Sequence, residues 1–158
     1  MHPLTELDYY FPTFEDNVLY ALTRVHYQDG QEHPIESILR ANISIIGYNQ
    51  TLTFIERMLF GEESDLFEPD AADLLKITSR VEFYAGNPNI PSSDETVKRK
   101  KIQIIITALR SDCLEMRRSA IMAVENWRDY FLIDILKEHN EPAVCLSEYK
   151  NSLISKFT

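Results

Sequence analysis

Two cysteines, Cys113 and Cys145, stand 32 positions apart in a chain of 158 residues. Such a pair cannot make a disulfide framework, and their apolar helical surroundings read as those of buried structural thiols. Only four glycines and seven prolines interrupt the chain. That excludes a disordered or low-complexity composition, and four scattered glycines cannot build a phosphate-cradling loop. No stretch approaches the roughly 18 apolar residues needed to span a bilayer. The start, Met1-His2-Pro3-Leu4-Thr5-Glu6, has neither the basic region nor the apolar run of a secretory signal. A cytoplasmic location without membrane attachment is the expectation. Histidine is scarce too. His2, His26, His33 and His139 never fall at i, i+4 from one another or beside a cysteine in a ligand pattern. His26 and His33 flank one loop and read as exposed turn residues. No nucleophile elbow occurs. No catalytic residue, no metal ligand and no cofactor is therefore expected, and the chain is read as not an enzyme.

What is abundant is helical periodicity. Phe14, Val18, Leu22 and Val25 form one stripe after Thr13, a plausible N-cap, with Asp29-Gly30 as the following turn. A second helix is expected from Pro34, with Ile35, Ile38, Leu39 and Ile46 apolar and Gly47 as its C-terminal cap. A third runs from about Asn49 to Phe60, and Gly61 ends it. Ala71, Leu74, Leu75, Thr78 and Val81 mark a fourth. Gly86-Asn87-Pro88-Asn89-Ile90-Pro91 reads as the long connection between two halves. Beyond it, Ser92 and Glu95 have capping-box form. The β-branched run Ile102 to Ile106 is assigned to a buried helix because its flanks extend the segment past strand length. Helices from about Asp112, from about Asp129 to Glu138, and after Pro142 complete the series. No strand–helix alternation or hairpin signal accompanies them. The fold class is all-α: an antiparallel multihelical array of about seven or eight helices in a single domain, residues 1–158, with halves 1–91 and 92–158.

The charge of −9 is unevenly placed. Residues 1–95 carry 17 Asp/Glu against 5 Lys/Arg, and residues 96–158 carry 8 against 11. An acidic first half repels nucleic acid and attracts basic proteins, and it also keeps a protein soluble. Its densest part is Glu62, Glu63, Asp65, Glu68, Asp70 and Asp73. An EF-hand would need a central glycine, whereas Gly61 precedes the cluster, so the calcium-loop pattern fails. Solvated loop charge and a contact surface for a basic partner both remain open. Tyr9 and Tyr10, beside Phe11, add a residue type that suits interfaces and also packs at core rims. Lys98-Arg99-Lys100-Lys101 is the only basic run, set in the first turns of a helix where the dipole disfavours cations. A solvated face, phosphate contact and pairing with the acidic half are its possible uses.

Glu115-Met116-Arg117-Arg118-Ser119-Ala120-Ile121-Met122-Ala123-Val124 resembles the second helix of a HEAT-type repeat. Tyr130 to Leu136 resembles the first helix of a following repeat, with Pro142 onward as its partner. Ala120 and Tyr149 lie 29 positions apart, as do Val124 and Leu153. The resemblance covers about residues 97–158, and it departs from the pattern where Leu146 and Ser147 replace the arginine pair. It implies a HEAT-like α-solenoid, in which stacked helix pairs leave one side free; a plain helical bundle is the alternative. In size, charge and helicity the chain also resembles the small acidic helical immunity proteins of bacterial polymorphic-toxin and contact-dependent inhibition systems. That likeness implies a basic protein partner, a nuclease toxin domain, met by Glu62, Glu63, Asp65, Glu68, Asp70 and Asp73 with Tyr9 and Tyr10. A HEAT-like scaffold or adaptor in a host protein complex is the competing expectation.

Overall fold

The computed structural model describes residues 6–62, 64, 66–83 and 91–157, with side chains from residue 8 and, in the last stretch, from residue 95. Glu63 and Asp65 of the acidic cluster, the segment 84–90 and the Ser92 side chain lie outside the described residues. Seven helices and no strand are found among those described: α1 (Glu6–Arg24), α2 (Pro34–Phe60), α3 (Glu68–Ser79), α4 (Pro91–Leu109), α5 (Leu114–Trp127), α6 (Tyr130–Glu138) and α7 (Val144–Phe157). The β-branched run of Ile102 to Ile106 is helical, with Ile104 and Ile105 fully buried. Burial against neighbours outweighs the strand propensity there.

The helices form two layers. Within the chain α2 packs on α3, α4 on α5 and α6 on α7. Across these hairpins α2 touches α4 and α4 touches α6, while α3 touches α5 and α5 touches α7. Thus α2, α4 and α6 make one layer and α3, α5 and α7 the other, with α1 packed on α2. The core lies between them. Leu39, Leu52, Ile55, Leu74, Leu75, Ile104, Ala120, Val124, Leu132 and Leu136 are all fully buried in it, each larger aliphatic contributing roughly 1.5–3 kcal/mol.

The start of the first helix differs from that expected. α1 starts at Glu6, not at Thr13, and runs through Pro12. A proline ring cannot donate the i→i−4 bond; burial of Phe11, Phe14 and Val18 holds the helix together across it. Phe11 and Phe14 both pack on Phe54 of α2, with ring centroids 5.1 and 5.2 Å away. At Gly47, where the second and third helices were expected to part, two helical segments meet within α2. This glycine kinks α2 at φ 90°, ψ 172°, a region open essentially to glycine alone. Thr51 bridges the kink: its hydroxyl donates to the Gly47 carbonyl at 2.8 Å and accepts from Asn42 Nδ2 at 3.1 Å.

His33 is not an exposed turn residue; it is 2% exposed and caps α2. Its Nδ1 accepts from the Ile35 N–H at 3.2 Å, its Nε2 pairs with the Val25 carbonyl at 2.9 Å, and its own N–H donates to Glu36 at 2.7 Å. Glu36, equally buried, also receives Arg80 Nε of α3 at 3.2 Å. The end of α1, the start of α2 and the end of α3 are thereby tied at one point. A second polar knot closes the other end. Buried Arg117 donates through Nε to Glu141 at 2.9 Å and through Nη1 to the carbonyls of Ser111 and Asp112. Glu141 also accepts from the Ala143 N–H and pairs with His139, and Lys150 donates to the His139 carbonyl. The basic run is dispersed in the same manner. Lys100 meets Glu56 at 2.9 Å, Lys101 is buried against Asp129 at 2.8 Å and over the Trp127 ring, and Lys98 lies over Phe131. Pairing, with Glu56 drawn from the acidic half, is what this run does.

Two consequences are measurable. Gly47→Ala forces a Cβ into a backbone conformation reserved for glycine, and urea unfolding is expected to give a loss of about 1–3 kcal/mol; no loss refutes the kink. For Glu141, burial pushes the carboxyl up, but the bonds from Ala143, Arg117 and His139 outweigh it and the net direction is below the ordinary 4.5. A carboxyl lowered on folding stabilises above its unfolded value and loses that contribution as pH falls through the folded one. Glu141→Gln is therefore expected to destabilise at neutral pH and to flatten the acid limb of the stability curve below pH 4.5. An unchanged acid limb contradicts this.

Candidate partner-binding surface

The sequence-expected residues separate into two regions. Tyr9 and Tyr10 are exposed, Tyr9 to 73%, and stack edge to face. Exposed Glu62 sits across a cleft of about 500 Å³ from the same helix, the cleft being lined by Phe11, Pro12, Glu15 and Arg57. The structure thus brings Glu62 to the start of α1. Glu68 and Asp70 occupy the first turn of α3, where carboxylates complement the helix dipole; that alone accounts for part of the acidic cluster. Asp73 does not belong to a loop at all. It faces α5, half-buried, 3.8 Å from Lys76.

Lys76 is the centre of the second region. It is 7% exposed, with Nζ 3.4 Å from Glu115 of α5 and 5.4 Å from the centroid of the Tyr27 ring. One ammonium does not neutralise this surround. Burial raises the Asp73 carboxyl; Lys76 opposes the rise, and Asp70 and Glu115 reinforce it. The Tyr27 hydroxyl reaches the Met122 sulfur at 3.7 Å. Burial first, then the hydrogen bond and charge of Asp29, push this phenol up to about 12. Farther along α5, Glu125 accepts from the Tyr149 hydroxyl of α7 at 2.9 Å. Burial and Glu125 raise that phenol also, and Arg118 and Asp29 lie close enough to act on it. Asp29, Asp70, Asp73, Glu115 and Glu125 are therefore gathered around Tyr27 and Tyr149, opposed by Lys76, Arg80 and Arg118.

This face is built by the α3, α5 and α7 layer, with Tyr27 and Asp29 laid over it from the connection between α1 and α2. Part of it was readable. Glu115, Arg118, Met122 and Glu125 recur at helical spacing opposite the buried stripe of α5. Nothing in the spacing placed Asp29 or Tyr149 beside them. Cys145, expected to be buried, is exposed on this face at the start of α7. The reason is position: the first turn of α7 carries Val144, 74% exposed, before the packed Leu146.

A larger cleft, about 820 Å³, lies elsewhere, among Arg80, Phe83, Lys101, Trp127 and Arg128. Arg80 and Lys101 within it are already held by Glu36 and Asp129, which favours the acidic face over this cleft as a charge-recognising surface. Among the described residues no group of three or more His, Cys, Asp or Glu is placed to hold a metal ion, and no helix is long and apolar enough to cross a membrane. No known family, curated protein or solved structure matches the chain.

The electrostatic account of Tyr27 has a direct check. In an alkaline titration followed by tyrosinate absorbance, the step near 12 is expected to vanish in Tyr27→Phe and to move down in Asp29→Asn. A step that stays put in Asp29→Asn removes Asp29 from this face.

Proposed function

We propose that this chain is a non-catalytic protein-binding module that receives a basic partner on the acidic face of α3, α5 and α7. One observation carries the reading: carboxylates from three separate parts of the chain converge around two tyrosines, five of them against the three cations Lys76, Arg80 and Arg118. Bringing like charges together is unfavourable in the isolated protein. A cationic surface relieves that cost on binding, and tyrosine supplies contact area with little conformational entropy to lose. The finer reading is an immunity protein that covers the basic active site of a nuclease toxin. The acidic, all-helical character supports it. The Tyr9, Tyr10 and Glu62 region, on another part of the surface, is a secondary contact in this reading.

A second reading, a HEAT-like scaffold or adaptor in a host protein complex, is favoured by the layering. Three hairpins stack with like helices in contact, the arrangement from which solenoids build a free face.

The test uses a panel of basic nuclease toxin domains, with cleavage and association rates measured at low and high salt. Stoichiometric inhibition of one domain is expected, with an on-rate that falls at least about tenfold between about 0.05 and 0.5 M salt. Asp73→Lys with Glu115→Lys should lower that on-rate by a similar factor, whereas Glu62→Lys should have a small effect. Tight binding without inhibition favours the scaffold. A salt-independent on-rate, or reversal mutants that bind normally, overturns the acidic-face assignment.

A further inference from the structure

Between α5 and α7 the acidic face contains a groove of about 390 Å³. Leu146, buried, and Met122 form its floor, and Leu114, Cys145 and Tyr149 its walls. Leu114 is 40% exposed and neighbouring Val144 is 74% exposed, so apolar surface continues out of the groove at one end. Methionine adapts its shape to whatever it contacts. Carboxylates stand at both ends: Glu115 with Asp73, bridged by Lys76, and Glu125, which accepts from the Tyr149 hydroxyl and has Asp29 close enough to act on the same phenol. Glu115 and Glu125 are ten residues apart on α5, about 15 Å along its axis.

We propose that this groove is an anchor site for one aliphatic side chain of a basic protein segment, with Lys or Arg on either side of the anchor reaching the two carboxylate groups. The inference rests on the acidic-face reading above and deepens it by naming the chemistry of the contact. The charge pattern chooses the occupant. Phosphate is repelled at both ends, so nucleic acid does not fit. A second copy of this chain offers only Arg99 from its basic run, because Lys100 and Lys101 are paired with Glu56 and Asp129 and Lys98 lies over Phe131. A purely apolar segment desolvates the flanking carboxylates without bringing a charge to offset that cost. A helix with two cations eleven residues apart, about 16 Å along its axis, and a leucine on the same face seven residues after the first matches the groove at its floor and both ends, in the manner of helix-in-groove recognition. Arg118, exposed on the groove wall, and Lys76 between Glu115 and Asp73 are cations that oppose such a ligand.

Synthetic helical peptides of equal length provide the probe. One carries Lys at eleven-residue spacing with Leu seven residues after the first, all on one helical face, the second replaces Leu by Ala, and the third replaces Lys by Glu. Affinity is read by anisotropy. Occupancy of the groove is read by the alkylation rate of Cys145 in Cys113→Ser, which removes the other thiol and leaves a residue suited to the N-cap of α5. The Leu–Lys peptide is expected to bind about tenfold more tightly than the Ala–Lys peptide, the effect of burying one leucine in place of alanine, and to slow Cys145 alkylation. Arg118→Glu should tighten it further by several-fold. If the Ala–Lys peptide binds equally well, or Cys145 stays equally reactive, the anchor is overturned while the acidic face stands. If the Leu–Glu peptide binds as tightly as the Leu–Lys peptide, the acidic-face reading fails instead. If the Leu–Lys peptide does not bind, the anchor is wrong, and the association rates of intact basic domains decide separately on the face.

Discussion

The contact between α3 and α5 joins the first half of the chain to the second, and it is the most extensive in the molecule. Small side chains make it possible. Ala71, Ala72 and Ser79 are buried on α3, and Ser119, Ala120 and Ala123 on α5, which lets the two backbones come close. The serines tolerate burial because each hydroxyl donates to a carbonyl of its own helix, Ser79 to Lys76 and Ser119 to Glu115. Polar bonds then set the register along the seam: Lys76 to Glu115, Asn126 to Ser79, and the Trp127 indole to the Val81 carbonyl.

That seam also determines the chemistry of the surface. With α3 and α5 pressed together, Asp70, Asp73 and Glu115 have no room to separate, and Lys76 beneath them cancels only part of their charge. The α1–α2 connection is fixed over the same region by the His33 cap and the Glu36–Arg80 pair. Tyr27 is held there half-buried, with exposed Asp29 beside it. At the far end, the Arg117–Glu141 pair locks the α6–α7 hairpin onto α5 and sets Tyr149 beside Glu125. Such pairs add less to stability than to specificity of arrangement, since desolvation opposes the Coulomb gain. Here they orient the elements that carry the face.

The helical series was legible from periodicity because each apolar stripe buries against a neighbour, and Pro34 and Gly61 punctuate it where turn chemistry requires. The errors share a cause. Thr13 satisfies the rule for an N-cap, but the burial of Phe11 and Phe14 on Phe54 carries α1 back beyond it. His33 looked like a loop residue because its three partners, Val25, Ile35 and Glu36, converge only when α1 turns back toward α2. For Lys98 to Lys101 the sequence left a solvated face, phosphate contact and pairing with the acidic half open, because successive residues on a helix point in different directions; three of the four meet different partners, and Lys100 pairs with Glu56 of the acidic half.

What the sequence by itself determined is the all-α class, the positions of most helices and the excess of negative charge, because these follow from local spacing and composition. Which charges act together was decided only by tertiary structure. The acidic stretch of residues 62–73 is contiguous in the chain, but helical geometry turns Asp73 inward to α5 and leaves Glu62 beside α1. The carboxylates that do converge, Asp29, Asp73, Glu115 and Glu125, are as much as 96 positions apart. Coulomb interaction depends on distance in space, and for these residues that distance is set by the packing of α3, α5 and α7.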